Sequence, residues 1–479
     1  MGYAVQVKRE LNVFQLTGTA FSITASWIGV TGGFATGVLV GGPVVLIWGL
    51  VLIAVINVAI SVSLAELISA MPNSGGQYYW VMRLAPPKYA RFSAYVTGML
   101  NLLGGLCATA SISVLVGQMV MGCVSLFHPG FAVAAWQIWL IGIAHNLSCF
   151  LFNFREKLLA RTMMASMVFS ILAWLAVLIV LPVKTPSHTS ASFIFTSTEN
   201  ISGWPSFGMA FMIGLLNANW SFGLLDAVSH LAEEIVRPEV NVPRALFASI
   251  AIGFATAWPL AIVLVYCMFD FDAVTSAHVP LLELFHLLFS GNRGAAVGLL
   301  SLILITLWFS TVGLHTYQMR ISWAFSRDNG LPFSTFWSRV PKRFGVPINA
   351  HLLCLVLVNI ISLLCIASTT AFNSLITAVL VFPNLSIMIS VMFSLLPRNG
   401  HIKGPYHFGV FGKVCKVTTI AFTLVTCVVY SFPYYIPVEA GSMNYFSVIL
   451  VAALLGILLD WAFRARHGFR RSQMIEHRD

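Results

Sequence analysis

The sequence predicts an all-α membrane protein with twelve transmembrane helices. Hydrophobic residues make up 58% of the 479-residue chain and charged residues only 9%, whereas about a quarter of a soluble domain is charged. Many apolar runs exceed the roughly 18 residues that a helix needs to cross a bilayer. The alternation of apolar and polar residues that a transmembrane barrel requires is absent from the sequence. A polytopic helical membrane protein is therefore expected.

The predicted spans, numbered one to twelve in chain order, are apolar runs separated by polar or charged loops. They are 14–40, 44–71, 92–127, 131–152, 162–183, 206–232, 245–269, 295–324, 347–368, 372–396, 414–434 and 444–464. Spans three and eight are longer than a bilayer requires, so tilt or extension beyond it is expected. The shorter segment 276–290, with Glu283, His286 and interleaved leucines, is predicted to lie along the outer surface. Short tails, 1–13 and 465–479, flank one membrane domain over 14–464.

The positive charges orient the chain in the membrane. The net charge is +10, but of the lysines and arginines only Lys184 and Arg293 fall on the external side when the N-terminus is placed in the cytoplasm. This is the distribution that the positive-inside rule requires. The basic residues therefore predict cytoplasmic termini rather than a nucleic-acid site, and we favour the plasma membrane over the vacuole.

No motif in the sequence indicates a metal, a cofactor or a catalytic centre. The eight cysteines lack CxxC spacing, the histidines lack HExxH spacing, and nothing matches a phosphate-binding loop. We therefore expect no cofactor and no enzymatic activity, and we interpret the cysteines as packing residues. The sequon at Asn200 lies in the predicted external loop, where glycosylation is plausible on sequence grounds.

Spans one and six each carry a potential break at a comparable position. Span one contains Ser26, Trp27, Ile28 and Gly29, and span six contains Trp220, Ser221, Phe222 and Gly223. Each opens a half of five spans, 14–183 and 206–396, and an odd number of spans inverts the second half relative to the first. Interrupted helices in corresponding positions of inverted halves indicate a transport site.

The glycines of span one allow two interpretations. Gly29, Gly33 and Gly37 have the spacing of a helix-packing motif, and glycine also weakens a helix and exposes its backbone. We favour a division in which Gly29 lies near the break and the other two serve packing. Of the aromatic residues, Trp220 and Phe222 at the span-six break are the best candidates to hold an ammonium group by cation–π attraction, together with Trp27.

Four ionisable residues follow the break in span six. Asp226 is costly in a membrane and is interpreted as a gate, or as a group that attracts a cationic substrate or a coupling proton. The alternative is a structural acid paired with an internal polar group. His230, one helical turn away, is either a proton relay or a packing histidine. Glu233 and Glu234 are expected to pair with Arg237, Arg244 or another inner-loop base in an inner gate.

Two further residues, both outside span six, are candidates for a role in gating. Glu66 at the end of span two is expected to form an ion pair at the inner face, as part of the inner gate. His315 in span eight is a candidate for a role in gating or proton coupling, although a histidine that is hydrogen-bonded in the interior is the simpler interpretation. Residues 77–80, with one glutamine and three aromatic side chains, are predicted to form an interfacial belt.

Four segments together resemble the amino acid–polyamine–organocation (APC) transporter superfamily, and within it the fungal amino acid/choline branch. They are SLAELISAMPNSGGQYYW at 63–80, the span-six segment ending in NVPRAL at 241–246, WAFSRDNGLPFS at 323–334, and SFPYYIPVEAGSMNY at 431–445. The resemblance covers essentially the whole chain. Span eight departs from the pattern with HTYQMR at 315–320.

The resemblance implies a LeuT-like fold of five plus five inverted spans, with the two helices of 414–464 outside it. It also implies alternating access driven by an ion gradient, with protons preferred over sodium, and substrate contacts at the breaks in spans one and six. The expected substrate is an amino acid, γ-aminobutyrate, choline or a polyamine. A membrane sensor that binds such a solute without moving it is the alternative.

Overall fold

The computed structural model describes residues 13–154, 156–198, 200–341, 343–367, 371–396, 403–439 and 443–469. Within these residues every regular element is a helix and no strand occurs, which confirms the predicted all-α membrane fold. Most of the two predicted tails lies outside the described residues.

Ten of the predicted spans contain one long helix each, and their bounds follow the prediction closely. The long helices are Pro43–Ala70, Pro87–Phe127, Ala135–Phe152, Glu156–Lys184, Pro238–Tyr266, Arg293–Arg327, Ile348–Ile361, Ala371–Ser394, Gly409–Val429 and Phe446–Asp460. Span nine continues after a turn as Leu364–Ala367, and span twelve continues as the π-helix Trp461–Ala465 and the turn Arg466–Gly468. Spans three and eight are the longest, with 41 and 35 residues.

Spans one and six are the interrupted ones. Span one consists of three short helices, Val13–Thr24, Ser26–Gly32 and Phe34–Leu39, and span six of the α-helix Phe207–Trp220 and the 3₁₀ helix Leu225–Glu234. By length and composition, 11 helical segments of the described residues are able to cross a membrane. Span one is missing from those 11 because its breaks leave no helix long enough.

Eight of the first nine spans pack as two groups, and span five contacts members of both. Spans one, two, six and seven contact one another, and so do spans three, four, eight and nine. Span ten packs against span three, span eleven against span two, and span twelve against span ten. Two five-span halves related by a twofold axis would produce this pairing of one with six, two with seven, three with eight and four with nine. The grouping leaves spans one and six at the boundary with span eight.

Burial identifies the centre of the molecule. In span three 89% of the most apolar window is buried within the protein, against 11% in span twelve. Spans six and ten are also largely buried, whereas spans four and five face outward along most of their length. A transport path through the middle of the protein must therefore be lined by spans three, six and ten, with the short helices of span one beside them.

Two segments that the sequence predicts to lie at a surface are packed against other helices of the protein. The segment 276–290 forms part of a loop with two helices, Phe271–Ser276 and Pro280–Leu288, and the leucines of the second are buried against spans one, three, five and eight. Residues 77–80 begin the buried helix Gln77–Leu84, which packs against spans three and ten instead of forming an interfacial belt. Both segments are amphipathic, and composition alone does not distinguish a lipid surface from a protein surface. The remaining short helices are Ala191–Thr196 and Ser334–Trp337.

Candidate substrate and coupling site

The break in span one lies at Ala25, one residue before the predicted segment. Ala25 has φ 41° and ψ 49°, in the left-handed region, which costs a residue with a Cβ about 1–2 kcal/mol. Its N–H donates to the carbonyl of Phe21 at 2.8 Å, and its own carbonyl accepts from Ile28 at 2.8 Å. The predicted unwound residues 26–29 are therefore helical, as the first turn of Ser26–Gly32. The expectation that these four residues are unwound is therefore wrong, because the break lies one residue earlier in the chain.

The break in span six lies where it was predicted. The α-helix ends at Trp220, and the turn that follows reaches Leu224, which has φ 59° and ψ 35°. Phe222 N–H donates to Asn219 O at 3.0 Å and Gly223 N–H to Trp220 O at 3.2 Å. The chain then continues as a 3₁₀ helix, whose tighter turns place Asp226 one turn beyond the break.

The two breaks touch each other. A Cβ added to Gly29 would lie 2.6 Å from Cα and 2.8 Å from Oγ of Ser221. Added to Gly33 it would lie 2.7 Å from Oδ1 of Asn217 in span six. Both glycines therefore serve close packing, and Gly29 does so at the break itself.

A narrow cavity of about 30 Å³ lies between the breaks. Four of the eight predicted contact residues line it, namely Ile28, Gly29, Trp220 and Gly223, together with residues of spans three, eight and ten such as Ala108, Ser310 and Val379. Ser310 was missed by the sequence analysis. A serine within the apolar run of span eight was its only signal, and serines are common in transmembrane helices.

The other four predicted contact residues do not line this cavity. The indole of Trp27 donates to Ser170 Oγ in span five at 2.9 Å, so it does not face the cavity. Ser26 and Ser221 are fully buried. Phe222 lines a second, smaller cavity, which also includes Asp226. Gly223, Leu224 and Val379 line both cavities, so the second cavity connects the break with the acid.

Asp226 lies at the centre of a buried polar network. Its Oδ2 accepts from Gln77 Nε2 and from Asn101 Nδ2, each at 2.7 Å, and Asn101 Oδ1 accepts from the Tyr317 hydroxyl at 2.5 Å. Its Oδ1 has no hydrogen-bond partner among the described residues. His230 Nε2 lies 3.7 Å from Oδ2. The network thus joins spans three, six and eight to the helix after span two.

The position of His230 follows from its other ring nitrogen. Nδ1 lies 2.8 Å from the carbonyl oxygen of Ser74, so Nδ1 carries a proton and donates it. Nε2 then faces Asp226 and forms an ion pair with it only when the ring is doubly protonated. A Cβ on Gly76 would lie 2.8 Å from the ring, so the turn after span two holds the imidazole against Asp226.

Two ion pairs connect the C-terminal end of span six to span eight. Arg327 donates to both oxygens of Glu233 at 3.0 and 3.3 Å, and Nε of Arg320 lies 2.7 Å from Oε1 of Glu234. The acids were expected to pair with Arg237, Arg244 or another inner-loop base. Glu233 pairs with Arg327, a base of the predicted inner loop after residue 324, as expected, whereas the partner of Glu234, Arg320, lies within predicted span eight. Local sequence does not reveal which distant base is chosen.

Glu66 and His315 lie away from the paired breaks. The carboxylate of Glu66 lies 2.8 Å from Nζ of Lys416 in span eleven and accepts from Phe408 N–H at 2.8 Å. His315 Nδ1 lies 2.9 Å from Nε2 of His351 in span nine. Both residues have close partners, and neither contacts Asp226. Among the described residues, no group of three or more His, Cys, Asp or Glu side chains is arranged to hold a metal ion.

Comparison with known proteins gives consistent matches over the whole chain. A family model described as amino acid permease matches residues 11–457. A Choline transporter of Saccharomyces cerevisiae is 35% identical over 99% of this chain and 84% of its own length. The Swainsonine transporter swnT of Arthroderma benhamiae is 31% identical over 96% and 92% of the two chains, and the Amino-acid permease BAT1 of Arabidopsis thaliana is 29% identical over 98% and 94%.

Proposed function

The chain belongs to the amino acid permease family, and we propose that it moves a small amine-bearing solute across the membrane by proton-coupled alternating access. Membership of this family makes it a membrane transporter and not an enzyme. The proposal rests above all on the contact between the interrupted spans one and six, where Gly29 meets Ser221. Interrupted helices at mid-membrane present backbone groups to a solute in transporters built from inverted repeats.

Alternating access follows from the size of the cavity at the breaks. A space of about 30 Å³ is about the volume of one water molecule and is smaller than every candidate solute. The described conformation therefore has no room for the solute at the breaks, and binding requires spans one and six to move relative to spans three, eight and ten. The two packing groups provide the two bodies for this motion.

Choline is the substrate that we favour within the amine class. The cavity residues include Trp220 but no aspartate or glutamate, and a quaternary ammonium binds an aromatic face without needing a hydrogen-bond acceptor. A polyamine would bring several charges into this site without a carboxylate to compensate for them. The relative named Choline transporter supports the same choice. Amino acids and γ-aminobutyrate remain the competing candidates.

Asp226 is the group that we propose for proton coupling. Its Oδ2 is surrounded by the amide donors of Gln77 and Asn101, whereas sodium, a hard cation, would require several oxygen ligands. The unpaired Oδ1 is free to receive a proton. Because Asp226 and the substrate cavity share the turn at Gly223 and Leu224, protonation and solute binding would act on the same backbone segment.

The inner gate in this proposal is the pair of salt bridges between spans six and eight. Glu233–Arg327 and Glu234–Arg320 join one packing group to the other. Opening toward the cytoplasm, the side on which we place both termini, requires these contacts to separate. We place the protein in the plasma membrane, where a proton gradient directed inward would drive import.

Uptake of radiolabelled choline by a permease-deficient host tests this function. We expect saturable uptake that a protonophore abolishes, with weaker competition from γ-aminobutyrate, putrescine and common amino acids than from unlabelled choline. Vector-only cells and the Asp226→Asn variant are the controls. Correctly localised protein that takes up no member of this panel would contradict the proposal, and solute binding by the purified protein without uptake would favour a sensor.

A further inference from the structure

A cavity much larger than the one at the paired breaks lies away from them. Its volume is about 570 Å³, and it is lined by spans three and four, the helix Pro280–Leu288 and the start of span eight. None of its lining residues comes from spans one or six. Gly122 of span three lies on its wall, where an added Cβ would lie 2.6 Å from Val279 Cγ2. An occupant of this cavity would therefore be separate from the transported solute.

Span four establishes how deep the cavity lies in the membrane. Its helix has 18 residues, a length of about 27 Å, and so needs nearly all of them to cross a hydrocarbon core of ~30 Å. Ala135 therefore lies at the external boundary, beside Trp136, whose 54% exposure suits an interfacial anchor. Ala135 and Ile138 both line the cavity, which places its mouth at headgroup level and its wall in the hydrocarbon.

The length of the cavity matches one leaflet. Along span three it runs from Val114 to Leu126, which is about 18 Å of helix. Half of the hydrocarbon core is about 15 Å. Between these ends the wall is mainly apolar, as at Met121, with the polar side chain of Gln118 among its residues, and Leu282 lines it from the helix Pro280–Leu288. This is the shape of a slot for an extended acyl chain.

The mouth of the cavity carries both signs of charge. Glu283, His286 and Arg293 line it. His286 Nδ1 lies 3.7 Å from Oε1 of Glu283, and its Nε2 lies 3.2 Å from Gly291 O. Arg293 is one of only two basic residues on the external side of the predicted topology, and the other, Lys184, does not line the cavity. Its guanidinium is therefore a rare positive charge on this side, and its position at the mouth suits an anionic group.

We propose that this cavity binds one phospholipid of the external leaflet with a zwitterionic headgroup. Arg293 binds the phosphate, because a guanidinium forms paired charge-assisted hydrogen bonds with phosphate oxygens. Glu283 faces the headgroup ammonium, and an acyl chain lies along span three. That helix also provides Ala108 and Ile112 to the central cavity, so the lipid stabilises a wall of the transport path.

Photolabelling tests the site in the full-length protein reconstituted in phosphatidylcholine vesicles. The probe is phosphatidylcholine with a diazirine in its acyl chain, and we expect crosslinks at Met121, Ile138 or Leu282. Arg293→Gln should lower labelling at these positions about tenfold, and Ser125→Trp, which fills the cavity, should abolish it. Lys184→Gln removes the other external base and should leave labelling unchanged.

Three results would overturn the proposal. If Arg293→Gln leaves the labelling unchanged, Arg293 does not bind the lipid phosphate. If phosphatidylglycerol competes as well as phosphatidylcholine, the site does not prefer a zwitterionic headgroup. Displacement of the probe by free choline at concentrations that saturate uptake would make the cavity a solute site. Transport and photolabelling are separate readouts, so failure of one leaves the other interpretable.

Discussion

Substitution of Gly29 by alanine tests the contact between the two breaks with a single methyl group. The new Cβ would lie 2.6 Å from Ser221 Cα, whereas carbon atoms at optimal contact are about 3.5–4.0 Å apart. The obstacle is backbone, so span one or span six must retreat by about 1 Å. Overpacking of this kind costs about 1–3 kcal/mol. That cost falls on every state of the transport cycle in which spans one and six touch at this point.

A penalty of 1–3 kcal/mol corresponds to a change in the conformational equilibrium of about 5- to 150-fold. We therefore expect Gly29→Ala to lower the initial rate of uptake within this range while protein at the cell surface is unchanged. The matched control is Gly298→Ala in span eight, where an added Cβ meets nothing within 4 Å and a helical alanine is favourable. Equal, wild-type uptake by both variants would refute the claim that spans one and six must touch during transport.

Three further predictions concern the ionisable residues. Asp226→Asn keeps the shape of the side chain but removes its charge, so we expect at least tenfold slower uptake with normal surface expression. Uptake at the wild-type rate would show that Asp226 does not couple transport to protons. Glu233→Arg and Arg327→Glu should each impair uptake, because each breaks the same ion pair. The double variant restores opposite charges and should recover part of the uptake. Additive losses in the double variant would show that the pair does not act as a gate. Glu66→Gln removes the partner of Lys416, so this variant should lower the Tm of the purified protein without changing the KM for the solute. A raised KM with an unchanged Tm would instead make Glu66 a gating residue.

The sequence was sufficient for the architecture but not for the exact position of each break. Apolar runs gave the spans, because the hydrocarbon core imposes a length on every crossing helix. The glycines of span one pointed to a break, yet Ala25 is the residue with left-handed geometry. Gly29 and Gly33 are small because span six packs against them. A glycine pattern reports close approach and conformational freedom alike, and only the neighbouring helix separates the two.

The network around Asp226 shows what local sequence leaves out. Asp226 was identified because a carboxylate within an apolar run is costly. Its partners Gln77 and Asn101 were not identified. Gln77 was assigned to an interfacial belt, and the amide of Asn101 lies in a long apolar helix without any distinguishing motif. Similarly, the partners of Glu233 and Glu234 come from span eight, about 90 residues away along the chain. Contacts between distant spans depend on how the helices pack, which hydrophobic periodicity does not specify.

Protection of a cysteine in the central cavity tests the central claim most directly. Ser310→Cys places a thiol at the cavity between the breaks, and Ser301→Cys on the same helix, which does not line it, is the control. The rate of modification by a small cationic thiol reagent is measured with and without a saturating concentration of the transported solute, against the wild-type cysteine background. We predict that the solute slows modification at position 310 at least tenfold and leaves position 301 unchanged. Equal rates with and without solute at position 310, in protein that still transports it, would place the substrate site elsewhere.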